Sequence, residues 1–225
     1  MKKVLANLVV CLFATALTVG CGDDPTARLR VVHASPDAPN VDVFVNGSSV
    51  LQNVGYKTAS SYLKVKAGTD KIEVKPTGSS NAVISASADL TSKKDYTALA
   101  VNFVSSIQPL LLTDDNTPPT SGNVKVRIVH AAPSAPAVDV YVTAPGADLL
   151  TATPVLTNVP FTGVSSYLSV PAGNYEIRVT VAGTKTVAID SGSVTLAAGQ
   201  IRTVVALDAN GGGAPFTAIV LADLN

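Results

Sequence analysis

The sequence predicts an all-β protein built from two copies of one domain, and composition, turn spacing and an internal repeat all point to it. Hydrophobic residues make up 47% of the 225 residues, aromatic residues only 5%, and Trp is absent. Val, Ala, Thr and Ser dominate instead, a composition typical of β-rich proteins with small side chains. A chain of this length suits two domains of about 100 residues, each able to bury its own core.

The internal repeat covers most of the chain. Its clearest pair of segments places His33 and His130 at an offset of 97 residues, and the next pair is offset by 105. The eight extra residues of the second copy fall in a loop at residues 143–155. Matches that keep their order in this way indicate a duplicated domain. The matched pairs are 28–45 with 125–142, 60–68 with 165–173, Leu90 with Leu196, and 111–114 with 220–223.

The domain boundaries follow from this repeat. We predict a first β-sandwich repeat at residues 28–115, a Pro-rich linker at 116–124 and a second β-sandwich repeat at 125–225. Short β-rich runs alternate with turn residues about every 10 residues, which is typical of a sandwich or a barrel. Asn46-Gly47 between two such runs predicts a tight hairpin. The predicted strands of the first copy span residues 28–33, 41–46, 49–54, 59–65, 71–75, 83–90, 96–103 and 107–112.

The first residues have the pattern of a bacterial export signal. Lys2 and Lys3 precede an apolar run at residues 4–19, which polar residues follow at once. We therefore predict that residues 1–20 are a lipoprotein signal peptide. Residues 17–21, Leu-Thr-Val-Gly-Cys, resemble a bacterial lipobox, in which the Cys receives a diacylglyceryl group and becomes the new N-terminus.

Acylation of Cys21 would explain a lone cysteine in an exported chain, because Cys11 leaves with the signal. Residues 21–27 would then be a membrane-proximal tether that reaches at most roughly 20 Å, and membrane lipid would be a partner. Gly22 follows the Cys, so an Asp-type inner-membrane retention signal is absent. We expect a lipid-anchored, extracytoplasmic protein of the cell membrane or outer membrane. A plain secretory signal with an incidental Cys is the alternative.

The charge pattern argues against nucleic acid as a partner. Sixteen basic residues balance sixteen acidic ones, and they form no basic stripe or polybasic run. Binding to a phosphate backbone needs such a concentration of positive charge.

Three blocks of the sequence resemble the bacterial domain of unknown function 4397. They are Val-Val-His-Ala-Ser-Pro-Asp-Ala-Pro-Asn-Val-Asp-Val from residue 31, Tyr-Leu-Lys-Val-Lys-Ala-Gly from residue 62 and Asp-Tyr-Thr from residue 95. Both copies match, over residues 28–115 and 125–224. The resemblance implies extracytoplasmic immunoglobulin-like modules with no assigned activity. The expected fold is two tandem immunoglobulin-like β-sandwich domains after an N-terminal signal segment.

One feature of such sandwiches can be predicted directly. Tyr96, which follows Leu90-Thr-Ser-Lys-Lys-Asp, has the placement of a tyrosine corner, whose hydroxyl bonds back across the connecting loop. Arg202 stands at the equivalent position of the second copy.

The candidates for chemistry are His33 with Asp42 and His130 with Asp139. A histidine and a carboxylate can transfer a proton or bind a metal. Period-two alternation, however, puts each histidine on the core-facing side of its strand, where a backbone carbonyl or the nearby Asp would satisfy the ring. Asp37 offers a further ligand that the second copy does not repeat. We predict no catalytic residue, metal or cofactor, and keep these five side chains as candidate binding residues.

Other motifs have simpler explanations. Residues 114–116 and 23–24 are acidic but lack the alternating spacing of a calcium loop, so we interpret them as solvated linker charges. Ser-Ser at residues 60–61 and 165–166 lies in no nucleophile elbow and is expected on an exposed strand. Gly-Gly-Gly at residues 211–213 lacks the helix and Lys of a phosphate-binding loop.

The leading functional hypothesis is a membrane-anchored cell-envelope lipoprotein that acts as a non-catalytic binding or structural module. A surface polymer or a protein would be its partner, contacted through the Pro-rich loops at residues 34–40 and 131–137 and the longer loop at 143–155. The alternative is a metal-dependent or hydrolytic enzyme that uses the two His–Asp pairs. That alternative requires solvent-accessible imidazoles.

Overall fold

The computed structural model describes residues 25–224, which form sixteen β-strands and a short 3-10 helix at Val104–Ser106. No helix in this range is long and apolar enough to span a bilayer. The strands of the first half are β1 (Thr26–Ala34), β2 (Val41–Val45), β3 (Ser48–Val54), β4 (Leu63–Lys66), β5 (Gly68–Pro76), β6 (Ile84–Leu90), β7 (Asp95–Val101) and β8 (Gln108–Asp114). Those of the second half are β9 (Asn123–His130), β10 (Val138–Thr143), β11 (Leu156–Val159), β12 (Leu168–Pro171), β13 (Gly173–Val181), β14 (Val187–Leu196), β15 (Ile201–Leu207) and β16 (Thr217–Ala222).

Strands β1–β8 form two four-stranded sheets that pack face to face. One sheet has the order β4-β1-β7-β8 and the other β3-β2-β5-β6. Neighbouring strands are antiparallel except β1 and β7, which run parallel and place His33 opposite Ala100. Leu29 and Val31 of the first sheet and Val43 of the second belong to one buried cluster between the sheets.

Strands β9–β16 repeat this arrangement with the orders β12-β9-β15-β16 and β11-β10-β13-β14. The parallel pair is β9 with β15. Every strand pair lies within one half of the chain, so pairing divides the molecule between β8 and β9. The predicted fold class, two tandem immunoglobulin-like β-sandwich domains, is confirmed.

The two sandwiches stack on each other, which gives four layers of sheet. We call the two central sheets, β4-β1-β7-β8 and β12-β9-β15-β16, the inner sheets, and the other two the outer sheets. Because the inner sheets are covered on both faces, β1, β7, β9 and β15 are buried at almost every position. The cluster between the inner sheets contains Val32, Ala34, Leu99, Val101, Leu112, Val129, Ala131, Val205, Leu207 and Leu221.

All eight predicted strands of the first copy are present, and seven have ends within three residues of the prediction. The exception is the run at residues 59–65, because β4 starts only at Leu63. Before it, the Ser60 hydroxyl oxygen accepts the N–H of Val31 at 3.0 Å, and Ala59 forms only an isolated bridge. The Ser60 hydroxyl thus takes the place of one backbone acceptor, while the Ser60 N–H still donates to the Val31 carbonyl oxygen at 2.9 Å.

Two local predictions are confirmed. Asn46 and Gly47 connect β2 and β3 with φ angles of 50° and 80°, as a tight hairpin turn with two left-handed residues requires. The Tyr96 hydroxyl accepts the N–H of Thr91 at 3.1 Å, which is the tyrosine corner. At the equivalent position of the second domain, Arg202 donates instead to a carbonyl of its own strand.

The predictions for the signal peptide at residues 1–20, for lipidated Cys21 and for the acidic residues 23–24 lie outside the described residues. Strand β1 begins at Thr26. The last two residues of the predicted tether, 21–27, therefore belong to the first sandwich.

Candidate functional site

His33 fixes the first Pro-rich loop to the end of β1. Its side chain lies on the same face as Leu29 and Val31, as alternation predicts, and the residue is 1% exposed. Its Nε2 lies 3.0 Å from the Pro39 carbonyl oxygen, and its Nδ1 lies 3.4 Å from the Ser35 backbone nitrogen. These partners require that Nε2–H donates and Nδ1 accepts. Burial lowers the pKa of His33 below its ordinary value of 6.5.

His130 does the same for the second Pro-rich loop. It is 1% exposed, and its ring nitrogens lie 3.0 Å from the Pro136 carbonyl oxygen and 3.3 Å from the Ala132 backbone nitrogen. Burial again lowers the pKa of the ring. Because the backbone occupies both nitrogens of each ring, neither imidazole is available for proton transfer or metal ligation in this arrangement. Within residues 25–224, no group of three or more His, Cys, Asp or Glu could hold a metal ion.

The structure does not pair either histidine with its predicted carboxylate. Asp42 lies on the less buried face of β2 and accepts the N–H of Asn53 at 2.8 Å and the Thr77 hydroxyl at 3.0 Å. The Asn53 hydrogen bond in particular lowers the pKa of Asp42. Asp139 likewise accepts the N–H of Asn158 at 2.7 Å. Both carboxylates therefore hold turns of the outer sheets, and the His–Asp pairs required by the enzyme hypothesis are not formed.

Asp37 is exposed and joins two loops of the first domain. Its Oδ1 accepts the N–H of Val104, at the start of the 3-10 helix, at 2.8 Å. Each of the five candidate binding residues thus has a structural role. Direct contact with a ligand stays a prediction for them.

Both Pro-rich loops lie at one end of the molecule, where the glycine-rich loop of the second domain joins them. The N–H of Gly211 donates to the Pro36 carbonyl oxygen in the first Pro-rich loop at 2.8 Å. The N–H of Gly213 donates to the Ser134 hydroxyl in the second at 3.0 Å. We call this assembly of residues 34–40, 131–137 and 208–213 the loop end.

The third predicted contact loop, residues 143–155, lies elsewhere. It follows the end of β10, whereas the Pro-rich loop precedes the start of that strand. Arg178 holds it against the outer sheet by donating to the Thr143 hydroxyl at 3.0 Å and to the Ala147 carbonyl at 2.8 Å. The loop therefore starts at the end of β10 that lies away from the loop end.

A cleft of about 610 Å³ opens at the loop end, between the two domains. Residues 38–40 and 55–57 of the first domain line it together with Asn210 of the second. Two bonds across the domain boundary set its shape. The Tyr56 hydroxyl donates to the Asp208 carbonyl oxygen at 2.9 Å, and the Lys57 ammonium donates to the Thr217 hydroxyl at 2.8 Å.

A buried ionic network, which sequence analysis missed, joins the two inner sheets. Arg30 of the first domain lies 2.6 Å from Asp223 of the second. Reciprocally, Arg127 of the second lies 2.5 Å from Asp114 of the first. None of the four side chains is more than 3% exposed. Each domain thus supplies an arginine to the carboxylate of the other.

Hydroxyl groups complete this network. The second oxygen of Asp114 accepts the hydroxyls of Tyr62 and Thr97, both at 2.6 Å, and Asp223 accepts those of Thr203 at 2.8 Å and Tyr167 at 3.0 Å. Burial raises the pKa of both tyrosines. All eight residues occupy matching positions in the two copies. The sequence signal that could have predicted this network is an arginine inside an otherwise apolar strand at the same position of both copies, Arg30 and Arg127.

The interpretation of residues 114–116 as solvated linker charges is wrong for Asp114, whose side chain is 0% exposed. Its neighbours are also engaged. The Lys125 ammonium lies 2.6 Å from the Asp115 carboxylate and, mainly through this bond, lowers the pKa of Asp115 to about 2. Asn116 donates to Asp95 at 2.7 Å. The Asn116 side-chain oxygen also accepts the N–H of Leu224 at 3.1 Å, so the start of the predicted linker is bonded to both domains.

Two eight-stranded immunoglobulin-like sandwiches, joined by a reciprocal ionic network, define a tandem all-β module. The chain belongs to the family described as "Domain of unknown function (DUF4397)", which matches residues 27–141 and 142–225. The two matched segments meet within β10, whereas strand pairing divides the chain between β8 and β9. No curated protein matches the chain.

Several solved structures are similar to this chain at low identity, including the following three. The Bacillus anthracis TIE protein is 11% identical over 81% of this chain, which spans about a third (34%) of that protein, with a TM-score of 0.26. A streptococcal virulence factor described as binding alpha-glucan is 13% identical, with 80% and 92% of the two chains covered and a TM-score of 0.27. CBMbc, of family CBM26, from Eubacterium rectale Amy13K in complex with maltoheptaose, is 9% identical, with 89% and 98% covered and a TM-score of 0.27.

Proposed function

We propose that the protein is a lipid-anchored, extracytoplasmic, non-catalytic module that binds a neutral, hydroxyl-rich polymer of the glycan class in the cleft at the loop end. The observation that carries this proposal is the cleft itself, which both domains build and which presents one aromatic ring and two amide side chains. Ligand sites are typically concave and hold a few well-placed polar groups.

The side chains of the cleft suit sugar hydroxyls. Asn210 is exposed, and its carboxamide has no hydrogen-bond partner among residues 25–224. The amide of Asn40 donates to Asn53 at 2.9 Å and keeps its own oxygen for an incoming donor. Carboxamides both donate and accept, as hydroxyl groups do. The half-buried ring of Tyr56 adds an apolar surface. No carboxylate lines the cleft, and Thr217 already engages the Lys57 ammonium.

The cleft is held in shape before any ligand arrives. His33 bonds the first Pro-rich loop to β1, and Gly211 bonds that loop to the second domain. Proline further restricts the backbone. Ordering a loop on binding costs free energy, so loops that are already ordered favour affinity.

The proposed anchor is acylated Cys21, in the cell membrane or outer membrane. Strand β1 runs from Thr26 towards the loop end. A tether that joins the chain before Thr26 would therefore leave the loop end on the side away from the bilayer. This orientation would place the cleft where a surface polymer can reach it.

The binding proposal is tested with the full chain, solubilised from membranes and applied to a glycan and protein array. We expect saturable binding to a neutral glycan, weakened about tenfold by Asn210→Ala, which corresponds to about 1.4 kcal/mol. Asn81→Ala is the matched control, because Asn81 is an exposed turn residue outside the cleft. Binding only to protein probes, or glycan binding that Asn210→Ala leaves unchanged, would overturn the proposal.

The anchor is tested separately by intact-mass analysis of the membrane-extracted protein. The expected species starts at Cys21 and carries acyl groups, and Cys21→Ala shifts the protein out of the membrane fraction. A mature chain that starts at another residue would refute this part and leave the glycan result untouched.

A further inference from the structure

The two sandwiches enclose very different spaces between their sheets. The cavity of the first domain is about 110 Å³, and the cavity that covers matched wall positions in the second, and extends further towards the start of β15, is about 440 Å³. Small-molecule sites typically measure roughly 300–1,000 Å³. Only the cavity of the second domain has a volume within that range.

Matched positions show why the second sandwich is open. Leu90 is 1% exposed in the first domain, but its counterpart Leu196 is only partly buried. Tyr96 belongs to the closed core of the first domain, and its hydroxyl closes the corner at Thr91. In the second domain Arg202 takes the place of this tyrosine and lines the cavity.

The open cavity is mostly apolar, and Arg202 is its only cationic side chain. One carboxylate, Asp190, also lines it; this residue is exposed and its Oδ1 accepts the N–H of Gly192 at 2.8 Å. The Arg202 guanidinium has one bond, from Nη1 to the Ile201 carbonyl oxygen at 2.9 Å, and it forms no ion pair with any carboxylate of residues 25–224. Val220, at the edge, is 62% exposed. The apolar walls include Val126, Ile128, Val140, Ile177, Val179 and Val204.

We propose that this cavity binds the acyl chain of an anionic single-chain amphiphile, a fatty acid by class, with the ligand's carboxylate on Arg202. The apolar walls of both sheets would exclude water from the chain. The guanidinium provides the planar donor pair that a carboxylate accepts. A neutral chain would leave that donor pair unused.

The position of Arg202 orients the ligand. Arg202 is the second residue of β15, and β15 runs towards the loop end. The carboxylate would therefore lie at the end of the second sandwich away from the glycan cleft, with the chain between the sheets. The two sites are separate, and the fatty-acid site does not depend on the proposed function.

The test uses the full chain in native membranes and two photoactivatable probes, a diazirine-bearing dodecanoate and a diazirine-bearing dodecanol of equal length. After irradiation, labelled peptides are mapped by mass spectrometry. We expect the dodecanoate label on β13, β14 and β16, competed by unlabelled dodecanoate, with the first domain as the internal comparison. Labelling of these strands by the neutral dodecanol probe should be at least about fivefold weaker than labelling by the dodecanoate probe.

Two variants sharpen the result. Arg202→Met keeps the side-chain length and removes the charge, so labelling by dodecanoate should fall about fivefold or more. Arg202→Tyr introduces the residue of the first domain and should abolish labelling by filling the cavity. Resistance to proteolysis confirms that each variant is folded. Equal labelling by both probes, label spread over both domains, or unchanged labelling of folded Arg202→Met would overturn the proposal.

Discussion

The two domains share one topology and one interface but differ in how tightly their sheets pack. The first encloses about 110 Å³ and the second about 440 Å³. Arg30 and Arg127, which face the other domain, match between the copies, whereas Tyr96 and Arg202, at one matched position between the sheets, differ. The difference teaches that association of the domains and packing within a sandwich depend on opposite faces of the inner sheets and can vary independently.

The largest expected effect tests the shared interface. Asp114→Asn leaves Arg127 buried without its counter-ion and should lower the free energy of unfolding by about 3–5 kcal/mol. Asp223→Asn should cost a similar amount, because Arg30 lies 2.6 Å from Asp223 and its other carboxylate neighbour, Asp114, is 4.0 Å away. Urea unfolding of the full chain measures both.

The control for these variants is Lys71→Met. Lys71 pairs with Glu73 at 2.9 Å, but its side chain is 57% exposed, so the loss should stay below about 1 kcal/mol. Clearly unequal costs for Asp114→Asn and Asp223→Asn would break the equivalence of the two domains at the interface.

The next effect is the pH dependence that the two histidines share. Burial lowers the pKa of each folded ring below 6.5, so below that pH the unfolded chain binds more protons than the folded chain. Stability from this source is complete above pH 6.5 and falls as the pH decreases towards the folded pKa. Each histidine contributes at most about 1.4 kcal/mol per pH unit.

Substitution of each histidine tests whether the two rings cause this dependence of the free energy of unfolding on pH. His33→Gln and His130→Gln should each remove a similar share of the loss in stability measured between about pH 7.5 and about pH 5.5, because the two rings have equivalent backbone partners. A double variant with the full slope of the original protein would show that other groups cause it.

The smallest effect separates the two sandwiches. Tyr96→Phe removes the bond to the N–H of Thr91 and should cost about 1 kcal/mol. Arg202→Met at the matched position removes only a bond within its own strand and should change stability by less than about 0.5 kcal/mol. Thermal unfolding compares the two, and equal losses would contradict the different packing described for these positions.

Sequence patterns predicted the strands well because alternation and turn residues act locally. Asn46-Gly47 and Tyr96 carry their geometry in a few neighbouring residues. His33 was correctly assigned to a core-facing position, and its partner is the Pro39 carbonyl, six residues along the chain.

The remainder depends on contacts distant in sequence. Asp114 and Arg127 flank the linker, but nothing local shows that the two inner sheets face each other and bury both charges. The cleft likewise needs Asn210 of the second domain beside Tyr56 of the first. The open cavity results from incomplete packing between the two sheets of the second domain. In the sequence, only the replacement of the matched tyrosine by Arg202 indicates it.

Coverage of the inner sheets on both sides changes what each repeat can tolerate. An inner sheet that packs against the other inner sheet on one face can lose contacts with its outer sheet on the opposite face and still keep its shape. Because both repeats belong to one polypeptide, their association is intramolecular and does not depend on the protein concentration. Duplication therefore leaves one unit free to diverge inside while the other preserves the shared frame.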